Sequence, residues 1–428
     1  MTTYILATGL LLLALFGTPL FAIILAVAMA GFYTLEVDLS VIAIELYRIA
    51  GTPVLVALPL FTFAGYVLGE SNTSRRLVRL TRAFIGWIPG GLAIVAFVAC
   101  ALFTAFTGAS GVTIVALGAL LLPALGETGY SEKFSMGLVT SSGSLGLLLP
   151  PSLPLILYGV VAQQLDVGQA VTFEDLFLAG MLPALLMVVL LSLYSLWANR
   201  KSHMPLTRFS VREALAAVRE TAWELPLPVF VLGGIYSGYF AVSEAAAVTA
   251  LYVLVVEVFV YKEIHVSALA GIMRDAMVMV GGILLILGVS LAFTNFLIDA
   301  EVPARLFEMI QARVTDPTVF LALLNLLLLV LGMLLDIFSA IIIMVPLILP
   351  VAVSYGIDPV HLGIIFLANM QIGYFTPPVG MNLFIASYRF KKPVTDLYRA
   401  AVPFMLVLLA AVLIITYLPQ LSLVFIRK

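Results

Sequence analysis

The sequence predicts an all-α polytopic membrane protein with two inverted-topology repeats, each carrying a re-entrant helical hairpin. Composition is the first reason: 63% of the 428 residues are hydrophobic and 10% are charged, where a soluble domain carries about 25% charged residues. The second is a pair of matching interruptions. Gly146-Leu147-Leu148-Leu149-Pro150-Pro151 and Gly373-Tyr374-Phe375-Thr376-Pro377-Pro378 lie 227 residues apart, each inside a long apolar stretch. Proline lacks an N–H and clashes with the preceding turn, so it breaks a helix. Bare backbone in hydrocarbon costs several kcal/mol per polar group, so a broken segment must line something polar. Two breaks at corresponding places in two halves point to the binding site of a secondary transporter.

A spanning helix needs about 20 apolar residues. In order, the stretches are 4–35, 52–70, 90–125, 174–198, 224–261, 268–297, 317–355 and 401–425, with the proline-broken hairpins at about 132–163 and 359–388. Stretches 4–35 and 224–261 hold two short spans each, divided near Thr18-Pro19 and Ala241-Val242-Ser243-Glu244. The first begins at Tyr4 with no basic segment before it, and reads as a retained span rather than a signal peptide. Arg75, Arg76, Arg79 and Arg82 make 71–88 an interfacial amphipathic helix, its arginines anchoring to headgroups.

The interval of 227 also brings Pro123 onto Pro350, Gly129 onto Gly356 and 174–198 onto 401–425. The organisation is a first repeat 1–198, a basic linker 199–225 and a second repeat 226–428. Charge orients them, because Lys and Arg prefer cytoplasmic loops. Loop 71–88 is basic while its counterpart 298–315 carries Asp299, Glu301 and Glu308 against Arg305 and Arg313. The loop after the first broken segment is acidic (Asp166, Glu174, Asp175) and that after the second is basic (Arg389, Lys391, Lys392, Arg399). The bias flips between halves, as inversion requires. The linker is then cytoplasmic and both termini lie outside, against which Arg427 and Lys428 stand.

Four groups of residues carry candidate chemistry. Phe106-Thr107-Gly108-Ala109-Ser110-Gly111-Val112-Thr113 puts hydroxyls and glycines at mid-membrane depth, suited to local unwinding and to a hard cation; close helix packing by small residues is the alternative. Thr140-Ser141-Ser142-Gly143-Ser144 leads into the first proline pair, and suits a hairpin tip facing a polar cavity or a turn at the membrane surface. Asn369, Gln371 and Asn382 put amides in the matching place, with the Thr376 hydroxyl among them, able to hydrogen-bond a carboxylate without a fixed charge; a turn at the membrane surface is the alternative. Asp336 stands between two apolar runs, either as an intramembrane functional carboxylate or as the N-cap of the next helix. Glu244 is explained by capping. Ser141, Ser142, Ser144, Asp336 and Asn382 are the substrate or gate candidates.

Other classes lack residues. Cys100 is the single cysteine, excluding an intrachain disulfide and a cysteine metal site, and His203, His265 and His361 are scattered. No GxxxxGK[ST] loop, Ser-His-Asp set or HExxH helix occurs, which argues against direct ATP drive, an enzyme or nucleic-acid chemistry.

With these residues in view, the chain resembles the large membrane subunit (DctM-like, M type) of the tripartite ATP-independent periplasmic (TRAP) transporters. The resemblance covers essentially the whole chain. It rests on Gly233-Gly234-Ile235-Tyr236-Ser237-Gly238 with Glu244-Ala245-Ala246-Ala247, on Gly146–Ser152 and on Gly373–Asn382. It implies a sodium-coupled importer of organic acids in the bacterial inner membrane, an elevator whose transport domain slides against a scaffold. A periplasmic (P type) binding protein would deliver the organic anion, and a small four-helix (Q type) membrane subunit, a separate polypeptide here, would extend the scaffold. It further implies two Na+ sites. The first is similar to Thr107 and Ser110 with the backbone at Gly146, Leu149 and Pro150; the second resembles Gly332, Gly373, Thr376 and Val379. Relatives commonly read Ser-Gly-Ser-Ser where Thr107-Gly108-Ala109-Ser110 stands, so Ala109 offers no side-chain ligand. They also usually carry Thr-Pro-Thr-Glu in place of Ala241-Val242-Ser243-Glu244. The rival expectation is a sodium- or proton-coupled anion antiporter or exporter that works without a binding protein.

Overall fold

The computed structural model describes residues 17–88, 90–165, 168–200 and 209–426. Among these no strand occurs, and eight helices are long and apolar enough to cross a membrane, nine with one bent pair. The all-α polytopic membrane architecture is therefore observed. The start of stretch 4–35, Asp166, much of the linker, Arg427 and Lys428 lie outside the described residues.

The first half contains α1 (Leu20–Thr34), α2 (Ser40–Ala50), α3 (Ala57–Glu70), α4 (Thr73–Ile85), α5 (Gly91–Thr107), α6 (Ser110–Glu127), α7 (Glu132–Ser142), α8 (Leu153–Gln163) and α9 (Phe173–Ala198). After α10 (Val211–Glu220) come α11 (Pro226–Tyr236), α12 (Val242–Val255), α13 (Val266–Asp299), α14 (Val302–Gln311), α15 (Pro317–Leu334), α16 (Ile337–Ser354), α17 (Pro359–Gly373), α18 (Met381–Phe390), α19 (Val394–Tyr417) and α20 (Gln420–Leu423). Local chemistry sets the starts. Ser131, Thr172 and Ser210 accept from backbone N–H groups two or three residues into α7, α9 and α10, while Asp316, Asp336 and Asp358 do so for α15, α16 and α17. Stretch 224–261 divides at 237–241, as expected.

Element bounds repeat at the interval read from the prolines. Adding 227 to Ser110–Glu127 gives Ile337–Ser354, and Glu132 and Pro359 both open the broken segments. Gly129 and Gly356, each two residues beyond a helix, both take left-handed backbone (φ +91° and +78°) that favours glycine.

Two expectations are corrected. The first broken segment is not a hairpin. Its axis turns by 43° between Glu132–Leu148 and Leu153–Gln163, so the chain runs on as a bent span. Its contacts agree: at one end Lys392 Nζ pairs with Glu132 at 2.6 Å, and at the other the Tyr158 hydroxyl donates to the Pro359 carbonyl at 2.6 Å. The start of each broken segment thus meets the end of the other, and the two cross the protein antiparallel. The sharp turn lies instead at Gly108, in left-handed backbone (φ +66°) between α5 and α6. Thr104 and Thr113 touch hydroxyl to hydroxyl across it at 2.7 Å, where nine residues of straight helix would rise about 13 Å.

The second correction concerns α4. Arg76 is not a headgroup anchor; it is 3% exposed and joins Glu224, Glu257 and Glu263, with the Tyr261 ring 4.0 Å from its guanidinium. Burial opposes the charge, but the hydrogen bond to Glu224 and the three carboxylates outweigh it and hold the guanidinium above its ordinary range. Adjacent helix positions point about 100° apart, which is why Arg75 faces outward while Arg76 faces in. The knot ties the first half to the second.

Candidate functional site

Four helix breaks converge inside the protein: Gly108-Ala109, 143–152, Leu335-Asp336 and 374–380. Thr104 Oγ1 donates to the Gly143 carbonyl at 2.8 Å. The Ser144 hydroxyl donates to the Gln371 carbonyl at 3.1 Å, and the Ser110 hydroxyl to Asn382 Oδ1 at 2.8 Å. Asn382 N–H donates to the Tyr374 carbonyl at 2.8 Å, and the Tyr374 hydroxyl accepts from Ile337 N–H at 2.8 Å. One hydrogen-bonded chain thus joins breaks of both halves.

Glycine permits the closeness. A Cβ on Gly146 would stand 2.1 Å from the Ala101 carbonyl oxygen, and one on Gly373 would stand 2.4 Å from the Gly332 carbonyl carbon. Gly146 and Gly373 are equivalent residues of the two halves, each seated on the helix two elements before it.

The expected second sodium set is brought together. Gly332 abuts Gly373, Thr376 N–H donates to the Gly373 carbonyl at 3.0 Å, and Gly380 N–H donates to the Met333 carbonyl at 3.2 Å, placing Val379 beside them. The Thr376 hydroxyl donates to the Ile372 carbonyl at 2.9 Å, leaving its lone pairs free to accept. The first set is more dispersed. Ser110 and Gly108 abut Gly143 and Leu153, which bracket Gly146, Leu149 and Pro150. Thr107 Oγ1 is buried without a partner, and the Thr107 backbone packs against Gly65 of α3. An unpartnered buried oxygen fits a cation ligand. Among the described residues no group of three His, Cys, Asp or Glu side chains could hold a metal, so carbonyls and hydroxyls are the donors on offer.

Of the substrate candidates, Ser141 and Ser142 are fully buried and donate to the carbonyls of Leu138 and Val139 in their own helix. Asp336 caps α16, accepting from Phe338 and Ser339 N–H at 3.0 Å each. Asn382 keeps one buried amide donor, Nδ2, without a partner. Sequence reasoning missed Tyr374, whose hydroxyl and carbonyl connect two breaks. The signal was a tyrosine inside the Gly373–Pro378 interruption, where burial in a polar hub gives its hydroxyl a partner.

Eight or more apolar spans around an internal polar hub of broken helices define a multi-pass membrane transporter. Residues 7–421 match the family of the tripartite ATP-independent periplasmic transporter, DctM component, and the chain belongs to that family. It is 36% identical over 383 residues to the C4-dicarboxylate TRAP transporter large permease protein DctM of Pseudomonas aeruginosa, covering 89% of this chain and 88% of that protein. It is 35% identical to the isethionate TRAP transporter permease protein DctMQ of Oleidesulfovibrio alaskensis, covering 87% of this chain and 58% of that longer protein. Identity to the ectoine/5-hydroxyectoine TRAP transporter large permease protein UehC of Ruegeria pomeroyi is 32%, over 96% of both. The crystal structure of the Alcanivorax borkumensis YdaH transporter shares the fold at 15% identity, with a TM-score of 0.63 over 90% of this chain and 88% of that one.

Proposed function

We propose that the chain is the large membrane subunit of a sodium-coupled importer of organic acids, of dicarboxylate or sugar-acid type, in the bacterial inner membrane. A periplasmic binding protein (P type) delivers the substrate and a small four-helix subunit (Q type) completes the membrane complex. Family membership and the names of the relatives support the transport role and the partners. The observation that carries the ion and substrate chemistry is a complementary pair in one hub: the unpartnered Thr107 oxygen and the unpartnered Asn382 amide donor. An oxygen acceptor suits Na+, and an amide donor suits a carboxylate. They are linked through Ser110, whose hydroxyl holds Asn382.

Two sodium sites follow, one at Thr107, Ser110 and the 146–150 backbone, one at Gly332, Gly373, Thr376 and Val379. The repeats are inverted, 1–198 and 226–428, a reading supported by the 227-residue element match and the antiparallel broken segments. The re-entrant turn of the first half falls at Gly108, between α5 and α6. The hub moves as an elevator against a scaffold, with the basic linker cytoplasmic.

The test is uptake into proteoliposomes holding this chain and its small subunit, supplied with substrate-loaded binding protein. A sodium gradient drives accumulation, and its removal abolishes it. Full uptake on a proton gradient alone overturns sodium coupling; transport without any binding protein favours an antiporter or exporter instead.

A further inference from the structure

All three tryptophans of the chain stand at one end of the fold: Trp87 just beyond α4, Trp197 in the last turn of α9 and Trp223 just beyond α10. They are 50%, 62% and 50% exposed. A Cβ on Gly90 would lie 2.9 Å from Leu196, tying the α4–α5 junction to the end of α9, and Arg79 ties α4 to α10 through Glu213 and Glu220. Exposed tryptophan marks the headgroup level of a bilayer. At that level α10 turns Val211, Leu215 and Val218 outward while Ala214 and Ala217 are buried. An apolar stripe turned away from the protein, at tryptophan depth, belongs to a helix lying in the membrane interface.

Between α4 and α10 runs a groove of about 580 Å³, lined by the arginines Arg75, Arg79 and Arg82 and flanked by Trp87 and Phe209. The three arginines fall four and three residues apart, on one helix face. Arg79 is taken by its two glutamates, at 2.8 Å from Glu213 and in contact with Glu220. Arg75 and Arg82 are exposed on either side and form no salt bridge among the described residues. Two guanidiniums without a salt bridge among the described residues thus face a groove with aromatic walls, Arg82 also lying within the electrostatic reach of Glu213. A guanidinium fork matches phosphate oxygens in geometry and charge.

We propose that this groove binds the phosphodiester headgroup of an anionic phospholipid, with Arg75 and Arg82 on the phosphate and Trp87 and Phe209 against the glycerol. A free anion would satisfy the arginines but would leave the outward apolar stripe and the tryptophans without a role. A zwitterionic lipid would bring its own cation toward Arg75 and Arg82. The site is separate from the hub of helix breaks.

The test uses the purified full chain in neutral detergent, titrated with phosphatidylglycerol or phosphatidylcholine and read by native mass spectrometry. Wild type retains phosphatidylglycerol in preference to phosphatidylcholine. The R75Q/R82Q pair weakens that binding by roughly thirtyfold, on the scale expected for two arginines at an anionic surface; R75K/R82K restores part of it. R305Q/R313Q, exposed arginines of the α14 region, leaves it unchanged. Should the double variant fail to fold, R75Q and R82Q singly each weaken binding by about fivefold. Equal retention of the two lipids by wild type overturns the proposal. So does an unaltered preference in the arginine variants, or displacement of the lipid by inorganic phosphate at equal concentration.

Discussion

Ser144 and Gln371 are equivalent residues of the two halves, 227 positions apart, and they touch: the Ser144 hydroxyl donates to the Gln371 carbonyl at 3.1 Å. Under a two-fold relation, only residues near the axis meet their own counterparts. On the inverted-repeat reading proposed above, the axis relating the broken segments passes between these two, inside the hub. Ser144→Ala removes the donor to a buried carbonyl and is expected to lower stability by about 1–3 kcal/mol, read as a drop in thermal midpoint. Ser142→Ala, whose hydroxyl back-bonds Val139 in its own helix and otherwise meets only the weakly bonding Cys100 thiol, should cost less.

Gly373→Ala would force a methyl to within 2.4 Å of the Gly332 backbone. The expected cost is at or above the roughly 1–3 kcal/mol of ordinary overpacking, with transport lost. Gly146→Ala should behave alike, because the same place in the other half is equally closed. Gly281→Ala, in α13 with nothing within 4 Å of the added carbon, should keep both stability and transport. A tolerated Gly373→Ala would show that the contact is not needed.

Thr107→Val replaces a buried hydroxyl whose oxygen has no protein partner. Without sodium the variant should be at least as stable as wild type, since no bond is lost. With sodium the two should part. A ligand at about 100 times its dissociation constant adds about 2.7 kcal/mol to wild type, and the variant should gain less. Thr376→Val should likewise reduce sodium affinity at the second site. An identical sodium-induced rise in thermal midpoint for wild type and Thr107→Val would remove that hydroxyl from the ion's ligands.

Arg76→Ala strands the buried carboxylates of Glu224 and Glu257 and removes the partner of the part-exposed Glu263. Breaking a buried pair from one side costs about 3–5 kcal/mol, so the variant should unfold far earlier or fail to accumulate. Arg76→Lys should rescue only part, because a single ammonium cannot reproduce the fork that reaches Glu224 and Glu263 through different nitrogens. Full rescue by lysine would reduce the knot to simple charge balance.

Much of this was legible in the chain. Composition gave the membrane class, and the matched Pro-Pro pairs located both interruptions and the period of the repeat, which Ser110–Glu127 and Ile337–Ser354 then reproduce end for end. Asp336 and Ser131 announced helix starts through capping chemistry. What the prolines could not convey was direction. A proline states that a helix ends, while the course of the chain afterwards depends on what the resumed helix packs against, so the bent span at 132–163 read as a hairpin. The turn at Gly108 was visible as a glycine among hydroxyls but not as a reversal. Arg76 looked like its neighbours in sequence; its partners Glu224, Glu257 and Glu263 are at least 148 residues away, beyond any local pattern.

The antiparallel course of the two broken segments has an energetic consequence. Were the halves identical, a half-turn about the axis at Ser144 and Gln371 would convert an arrangement open to one side of the bilayer into its opposite at equal free energy. Each mismatch between equivalent positions tilts that balance. Thr107 and Ser110 stand against Leu334 and Ile337, and Ser142 against Asn369, so hydroxyls crowd one half of the hub and amides the other. On the inverted-repeat, alternating-access reading proposed above, that handful of unequal pairs sets the side on which the transporter waits.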